Sequence, residues 1–265
     1  MRRRLFLPLL VLALALPASA AGSLPLPFGI VDADAPPSTP LRVLGYQLYA
    51  GNCAICHGAN GSGFVREPLE SVSGAEVGRG PSLRGVGELA PDFYLRTGRM
   101  PLGRLGEQPQ RGPVLLNEKQ IRALVAYVGS LGHGPPIPQP RLERGKVNVG
   151  LQLFTDHCAG CHQVVAQGGY LTGAEAPPLQ DATPTQIAEA VRIGPYVMPR
   201  FSKNAISDAQ LDSIIAYVQY AKSPEDPGGW NLGHVGPIPE GLVAWLIAAA
   251  ALVAVCLLLG RRLKR

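Results

Sequence analysis

Two short stretches decide this sequence: Cys53-Ala-Ile-Cys56-His57 and Cys158-Ala-Gly-Cys161-His162. They sit inside longer blocks that repeat in order. Gly45-Tyr-Gln-Leu-Tyr-Ala-Gly-Asn-Cys53 matches Gly150-Leu-Gln-Leu-Phe-Thr-Asp-His-Cys158, an offset of 105. Further on, Gly80-Pro81-Ser82-Leu83 matches Ala176-Pro177-Pro178-Leu179, and Arg99-Met100-Pro101 matches Val197-Met198-Pro199. The block from Ile121 to Val128 matches the block from Leu211 to Val218. The chain therefore carries two copies of one domain, at residues 41–131 and 141–222. The Pro-rich run Gly134–Pro140 separates them as a stiff spacer, and a second such run, Ser223–Pro239, follows.

The hydrophobic pattern within each copy is helical. Amphipathic helices are expected at Leu41–Asn52 and Arg144–Asp156, each ending near its cysteines. Asn117 with Gln120, and Ser207 with Gln210, read as capping boxes that open a closing helix in each copy. Those helices place Ile121, Leu124, Val125 and Val128 on one face, and Leu211, Ile214, Ile215 and Val218 on the other. A middle helix is expected at Thr185–Ile193, capped by Thr183 with Pro184 at its first position; its partner is Pro91–Thr97. No alternating strand pattern stands out.

Two thiols three positions apart with a histidine directly after the second form the attachment signature of c-type haem. The thiols reach the two vinyl groups of one porphyrin, and the histidine lies where it can ligate iron. A zinc site would need further Cys or His ligands nearby. A thioredoxin-like pair would need a βαβ context. A disulfide framework would leave both histidines unexplained. Cys53, Cys56, Cys158 and Cys161 are thus candidate covalent attachment points for two haem c groups, with His57 and His162 as proximal ligands. Apart from Met1 the chain has only Met100 and Met198, at equivalent places 43 and 36 residues after those histidines. They are the candidate distal ligands. His/Met ligation fills both axial positions, which suits outer-sphere electron transfer. Pro81 and Pro177 are candidates for the carbonyl that each proximal histidine engages through its other ring nitrogen. Arg99 and Arg192 are candidate partners of haem propionates or solvated cations. Tyr46, Tyr49, Tyr127 and Tyr217 read as inter-helix packing, and His133, His157 and His234 as non-ligands. No catalytic residue is expected.

The 265-residue chain has a net charge of +5, but the excess is terminal. Arg2–Arg4 precede one apolar run; Arg261, Arg262, Lys264 and Arg265 follow another, and residues 21–260 carry a net of −2. A nucleic-acid partner is excluded on that distribution. Residues 1–20 read as a signal peptide: three arginines, an apolar run Leu5–Leu16, and Ala18-Ser19-Ala20. Leu242–Leu259 has 18 consecutive uncharged residues within a segment 241–260 that is long enough to span lipid. The basic tail that follows would stay cytoplasmic, leaving the two copies outside, with Trp245 near the outer interface. Cys256 lies in this run as a small residue.

Each copy resembles a class I cytochrome c domain: N-terminal helix, Cys-x-x-Cys-His, Pro-containing loop, Met-Pro, C-terminal helix. The whole chain resembles the di-haem cytochrome c subunit of the actinobacterial cytochrome bc1 complex. Three stretches carry that likeness: Gly80–Glu88, Thr97–Pro101, and Gly228-Gly-Trp-Asn-Leu-Gly-His-Val-Gly-Pro-Ile-Pro-Glu-Gly-Leu-Val-Ala-Trp245. The loop from His57 to Pro81 departs from its counterpart by being nine residues longer. The resemblance implies an all-α fold of two tandem cytochrome c domains followed by a single transmembrane helix. It implies an electron-transfer subunit of a quinol–cytochrome c reductase in the plasma membrane, with cytochrome b and Rieske iron–sulfur subunits as partners. Electrons would pass from the Rieske centre through the Met100 copy and the Met198 copy to the copper centre of an aa3-type oxidase. Another membrane-anchored di-haem carrier, or a di-haem thiosulfate dehydrogenase or peroxidase, is the alternative; the enzymes would need an open or displaceable iron ligand.

Overall fold

The computed structural model describes residues 29–63, 80–102, 109–224 and 237–263. The expected signal peptide, much of the loop before Pro81, and most of the second Pro-rich stretch with His234 lie outside these. The chain divides into two compact units, one ending at Pro136 and the other beginning at Ile137.

In the first unit, helix α1 (Leu41–Asn52) runs into a single turn α2 (Ala54–His57), followed by α3 (Leu89–Arg96) and α4 (Glu118–Gly129). The period-3.6 face expected of α4 is inside: Ile121, Leu124, Val125 and Val128 are all buried, against Leu44, Leu48 and Tyr49 of α1. The two helices cross at Gly45. A Cβ there would collide with the Ala123 carbonyl and stand 2.8 Å from the Tyr127 Cβ, so only glycine permits this approach. Asn117 caps α4 reciprocally: its side chain accepts from the Gln120 N–H at 3.0 Å, and the Gln120 side chain accepts from the Asn117 N–H at 2.8 Å. An extended arm ahead of α1 lies over both helices. Asn52 accepts from the Val31 N–H at 2.7 Å and donates to the Val31 carbonyl at 2.9 Å, and Gln120 donates to Asp32 at 2.6 Å.

The second unit repeats this plan with α5 (Val147–His157), α6 (Ala159–His162), α7 (Pro184–Ile193) and α8 (Asp208–Lys222). Its crossing is at Gly150, where a Cβ would collide with the Ser213 carbonyl and stand 2.8 Å from the Tyr217 Cβ. The core gathers Phe154, Ile187, Val191, Ile206, Leu211, Ile214, Ile215 and Val218. Capping boxes at Thr183/Gln186 and Ser207/Gln210 open α7 and α8.

Two local expectations change. The single helix Arg144–Asp156 is a short 3-10 turn, Leu142–Arg144, and then α5 from Val147. Gly145 between them is extended and pressed against α8: a Cβ would lie 2.7 Å from the Ala216 Cβ. Asp212 and Ser213 of α8 accept the Arg141 and Lys146 N–H groups at 2.9 and 3.2 Å, which fixes the break. The second unit also has an antiparallel ribbon, β1 (Gly169–Leu171) with β2 (Ala174–Ala176), turned at Gly173 with φ +79°. Three-residue strands are too short to write an alternation into the sequence.

Helix α9 (Pro237–Leu263) contains one segment long and apolar enough to cross a membrane, Gly241–Arg262, the only such span among the described residues. None of that span is buried by protein, and Leu246, Leu252 and Leu257 are each more than 60% exposed.

Candidate haem-binding sites

In each unit the helix that opens the domain delivers the two cysteines and the histidine to one short turn. Cys53 ends α1, and its carbonyl accepts the N–H groups of Cys56 and His57 at 3.1 and 2.9 Å. The second unit reproduces this with Cys158 accepting from Cys161 and His162 at 3.1 and 2.9 Å. One helical turn thus holds both thiols and the imidazole, as a porphyrin with two vinyl groups and one iron requires.

A returning loop then fixes each ring. His57 Nδ1 lies 2.8 Å from the Pro81 carbonyl and His162 Nδ1 lies 3.1 Å from the Pro177 carbonyl. A carbonyl accepts only, so Nδ1 carries the proton and Nε2 is left with its lone pair for a metal. Gly80 lets the loop come this close: a Cβ there would stand 2.7 Å from His57 Nδ1. Tyrosines reinforce the turn from different helices. Tyr49 of α1 donates to the Gly58 carbonyl at 2.7 Å, and Tyr217 of α8 donates to the Val164 carbonyl at 2.6 Å.

None of the five cysteines is paired in a disulfide. Burial, and then the neighbouring Cys56, pushes the Cys53 thiol up to about 12. Burial, and then Cys161, pushes Cys158 up to about 11. A redox-active pair depends on a depressed thiol pKa and a ready thiolate; these sites have the opposite bias. Burial lowers the His162 pKa, opposed by the Pro177 carbonyl, and so favours the neutral imidazole that metals take. No group of three or more His, Cys, Asp or Glu side chains suited to a metal ion forms among the described residues, so the motifs do not build a zinc cage.

Met198 is partly buried and packs on the second core, as do Cys158, Ala159, Leu179 and Phe201. Met100 is held at the turn after α3, where its N–H donates to the Tyr94 carbonyl at 3.2 Å. Arg192 is committed elsewhere than to a ligand: it donates to Asp208 at 2.8 Å and to the Phe201 and Ile206 carbonyls at 3.2 and 2.7 Å. Arg96 plays the matching part in the first unit, bridging Asp92 and Glu118 at 2.9 and 2.6 Å. Sequence reading missed this shared clasp between middle and closing helices, although Glu118 and Asp208 both follow a capping residue. Arg99 instead lies over the Phe93 ring, 4.8 Å from its centroid. Of the four tyrosines, Tyr49 and Tyr217 are buried, while Tyr46 is 54% exposed and meets Tyr127 edge-on at 5.6 Å. His157 rests against Phe201, centroids 6.2 Å apart.

Comparison with known proteins agrees with the geometry. The cytochrome c family model matches residues 43–132, and that of cytochrome c oxidase, cbb3-type, subunit III matches residues 145–218. The molecule is a tandem cytochrome c electron carrier, a class whose domains imply covalently bound haem c. The cytochrome bc1 complex cytochrome c subunit of Mycobacterium tuberculosis is 37% identical over 263 residues, covering 96% of this chain and 89% of its own. That of Corynebacterium diphtheriae is 36% identical over 82% of this chain and 80% of its own. The cbb3-type cytochrome c oxidase subunit CcoP of an Azospirillum species is 29% identical over 66% and 62%. The chain belongs to the family of cytochrome bc1 complex cytochrome c subunits.

Proposed function

We propose that this protein is the two-haem electron-transfer subunit of a quinol–cytochrome c reductase. Cys53 and Cys56 hold one haem c and Cys158 and Cys161 the other, with His57/Met100 and His162/Met198 as the axial pairs. Bound there, the two haems supply one-electron carriers on a route from a Rieske iron–sulfur centre to the copper centre of an aa3-type oxidase. The chain's own residues set the conditions for that route. Pro81 and Pro177 orient the imidazoles through Nδ1. Met100 and Met198 close the distal side and leave no position for a substrate. The buried crossings at Gly45 and Gly150 hold each attachment turn rigid against its closing helix. The domains span 41–131 and 141–222; residues 1–20 direct export; α9 anchors the chain once in the plasma membrane, with both haem domains outside and Arg261–Arg265 in the cytoplasm. Cytochrome b, the Rieske subunit, the oxidase and membrane lipid are its partners.

The observation that carries this reading is the 37% identity to a cytochrome bc1 complex cytochrome c subunit over 96% of this chain, in a sequence that holds two Cys-x-x-Cys-His motifs. Gentle detergent purification from the native membrane tests it. Cytochrome b and a Rieske protein should co-purify, with oxidase subunits beside them. Recovery free of both reductase subunits contradicts the reading. The match of residues 145–218 to a cbb3-type oxidase subunit favours one second reading, an oxidase-bound carrier; recovery with oxidase subunits alone would select it.

A further inference from the structure

In the second unit one short ribbon touches the segments that carry both proposed axial ligands. The β1–β2 ribbon is rooted at His162. The Gly168 N–H donates to the His162 carbonyl at 3.0 Å, and Pro177, directly after β2, offers its carbonyl to His162 Nδ1 at 3.1 Å. The far end of the ribbon is held as well. The Tyr196 hydroxyl donates to the carbonyl of Gly173, at the ribbon's turn, at 3.0 Å. Tyr196 lies two residues before Met198, in a turn that the Met198 N–H closes on the Pro195 carbonyl at 3.0 Å. Its φ is +57°, a backbone conformation that a bulky side chain rarely adopts and that surrounding contacts must maintain. At the equivalent place the first unit has Gly98, with φ +64°, where glycine takes the same backbone without steric cost. The second unit thus sets a tyrosine where glycine would serve the turn better. What the tyrosine adds is the hydroxyl contact to the ribbon.

We propose that Tyr196 is a positioning residue for Met198: its hydroxyl latches the methionine turn to the ribbon and so keeps the second haem iron closed to incoming ligands. The inference rests on the haem assignment above, with Met198 as ligand. Because Tyr196 and Met198 share one turn, withdrawing Met198 from iron pulls the hydroxyl off Gly173, and the loss of that hydrogen bond adds to the cost of opening. The first unit has no side chain at Gly98 to do this. Exchange of Met198 for neutral imidazole breaks an iron–sulfur bond and forms an iron–nitrogen bond, with no electron or proton transferred, so imidazole binding reads the latch directly. The net worth of one such hydrogen bond corresponds to a factor of about two to ten in affinity.

The ferric full-length protein, purified from membranes and with both haems counted by pyridine haemochrome, is titrated with imidazole while its haem absorbance is followed. Met198→Ala identifies the second haem as the site whose affinity it raises. In Tyr196→Phe, which keeps the ring and removes only the hydroxyl, that site should bind imidazole about two- to tenfold more tightly while the other is unchanged. Tyr170→Phe, on the same ribbon and 87% exposed, should alter neither site. Parent affinity at the second haem in Tyr196→Phe, at full haem content, overturns the proposal, as does an equal gain in Tyr170→Phe. Should Tyr196→Phe not mature, Tyr196→Gly decides, since glycine suits the backbone and lacks the hydroxyl: tighter binding at the second haem supports the proposal and parent affinity refutes it. If Met198→Ala raises the affinity of neither site, the ligand assignment has failed and the latch with it; an unmoved Tyr196→Phe fails the latch alone.

Discussion

An imidazole that spends Nδ1 on a main-chain carbonyl offers a metal only Nε2, and both proximal histidines are held in this way. In the proposed assignment the distal side rests on one thioether per unit. Met100→Ala and Met198→Ala should each open one iron, leaving half of the low-spin ferric signal and adding a high-spin signal in electron paramagnetic resonance; an unchanged spectrum would remove that methionine as a ligand. Asp208 makes a different test. Lys203, and then Arg192, hold its carboxyl below the usual carboxylate range. A depressed folded pKa stabilises the fold above the unfolded value of about 4 and loses that contribution as pH falls through the folded value. Asp208 is 63% exposed, so Asp208→Asn should cost under about 1 kcal/mol at neutral pH. The gap in melting temperature to the parent should close as pH falls below the usual carboxylate range and Asp208 protonates; a gap that persists in acid contradicts the ion-pair account. The contact of each motif histidine with a proline carbonyl was legible in the sequence because the attachment motif restricts residue type and spacing and the two copies align. The ion pair of Arg192 with Asp208 was not, because an arginine's partner depends on which loop returns to it.

At the scale of elements, the crossing of opening and closing helices carries each domain. Gly150→Ala forces a methyl group against Ser213 and Tyr217 and should destabilise the second unit by about 2–3 kcal/mol, with loss of its haem in the matured protein. Gly160→Ala, where nothing lies within 4 Å, should be tolerated. Equal stability of the two variants in thermal unfolding would discount the crossing. The arm before α1 is a second support. Asn52→Ala removes the two bonds to Val31 and one to the Leu48 carbonyl and should cost about 1–2 kcal/mol, read as earlier thermal loss of the first domain. Helices with caps and a clear apolar stripe were visible in the sequence, as α4 and α8 demonstrate. The β1–β2 ribbon and the break at Gly145 were not, since one is shorter than a readable period and the other is imposed by Asp212 and Ser213, distant in sequence.

At the scale of the whole molecule, two like domains and one unburied apolar helix long enough to cross a membrane are the parts the proposed anchored carrier needs. A chain ended after Glu240 should mature both domains yet leave the membrane fraction; retention in membranes washed free of partner subunits would contradict the role given to α9. The repeat made the two-domain plan legible from sequence, and the uncharged run made α9 legible. The central claim is that the mature chain carries two haems through four thioether bonds. Intact-mass spectrometry of protein from native membranes tests it most directly. The account predicts a mass increment of two haems, with Cys256 the one thiol open to alkylation after denaturation; a chain carrying fewer than two haems, with Cys53, Cys56, Cys158 or Cys161 alkylated, would contradict it.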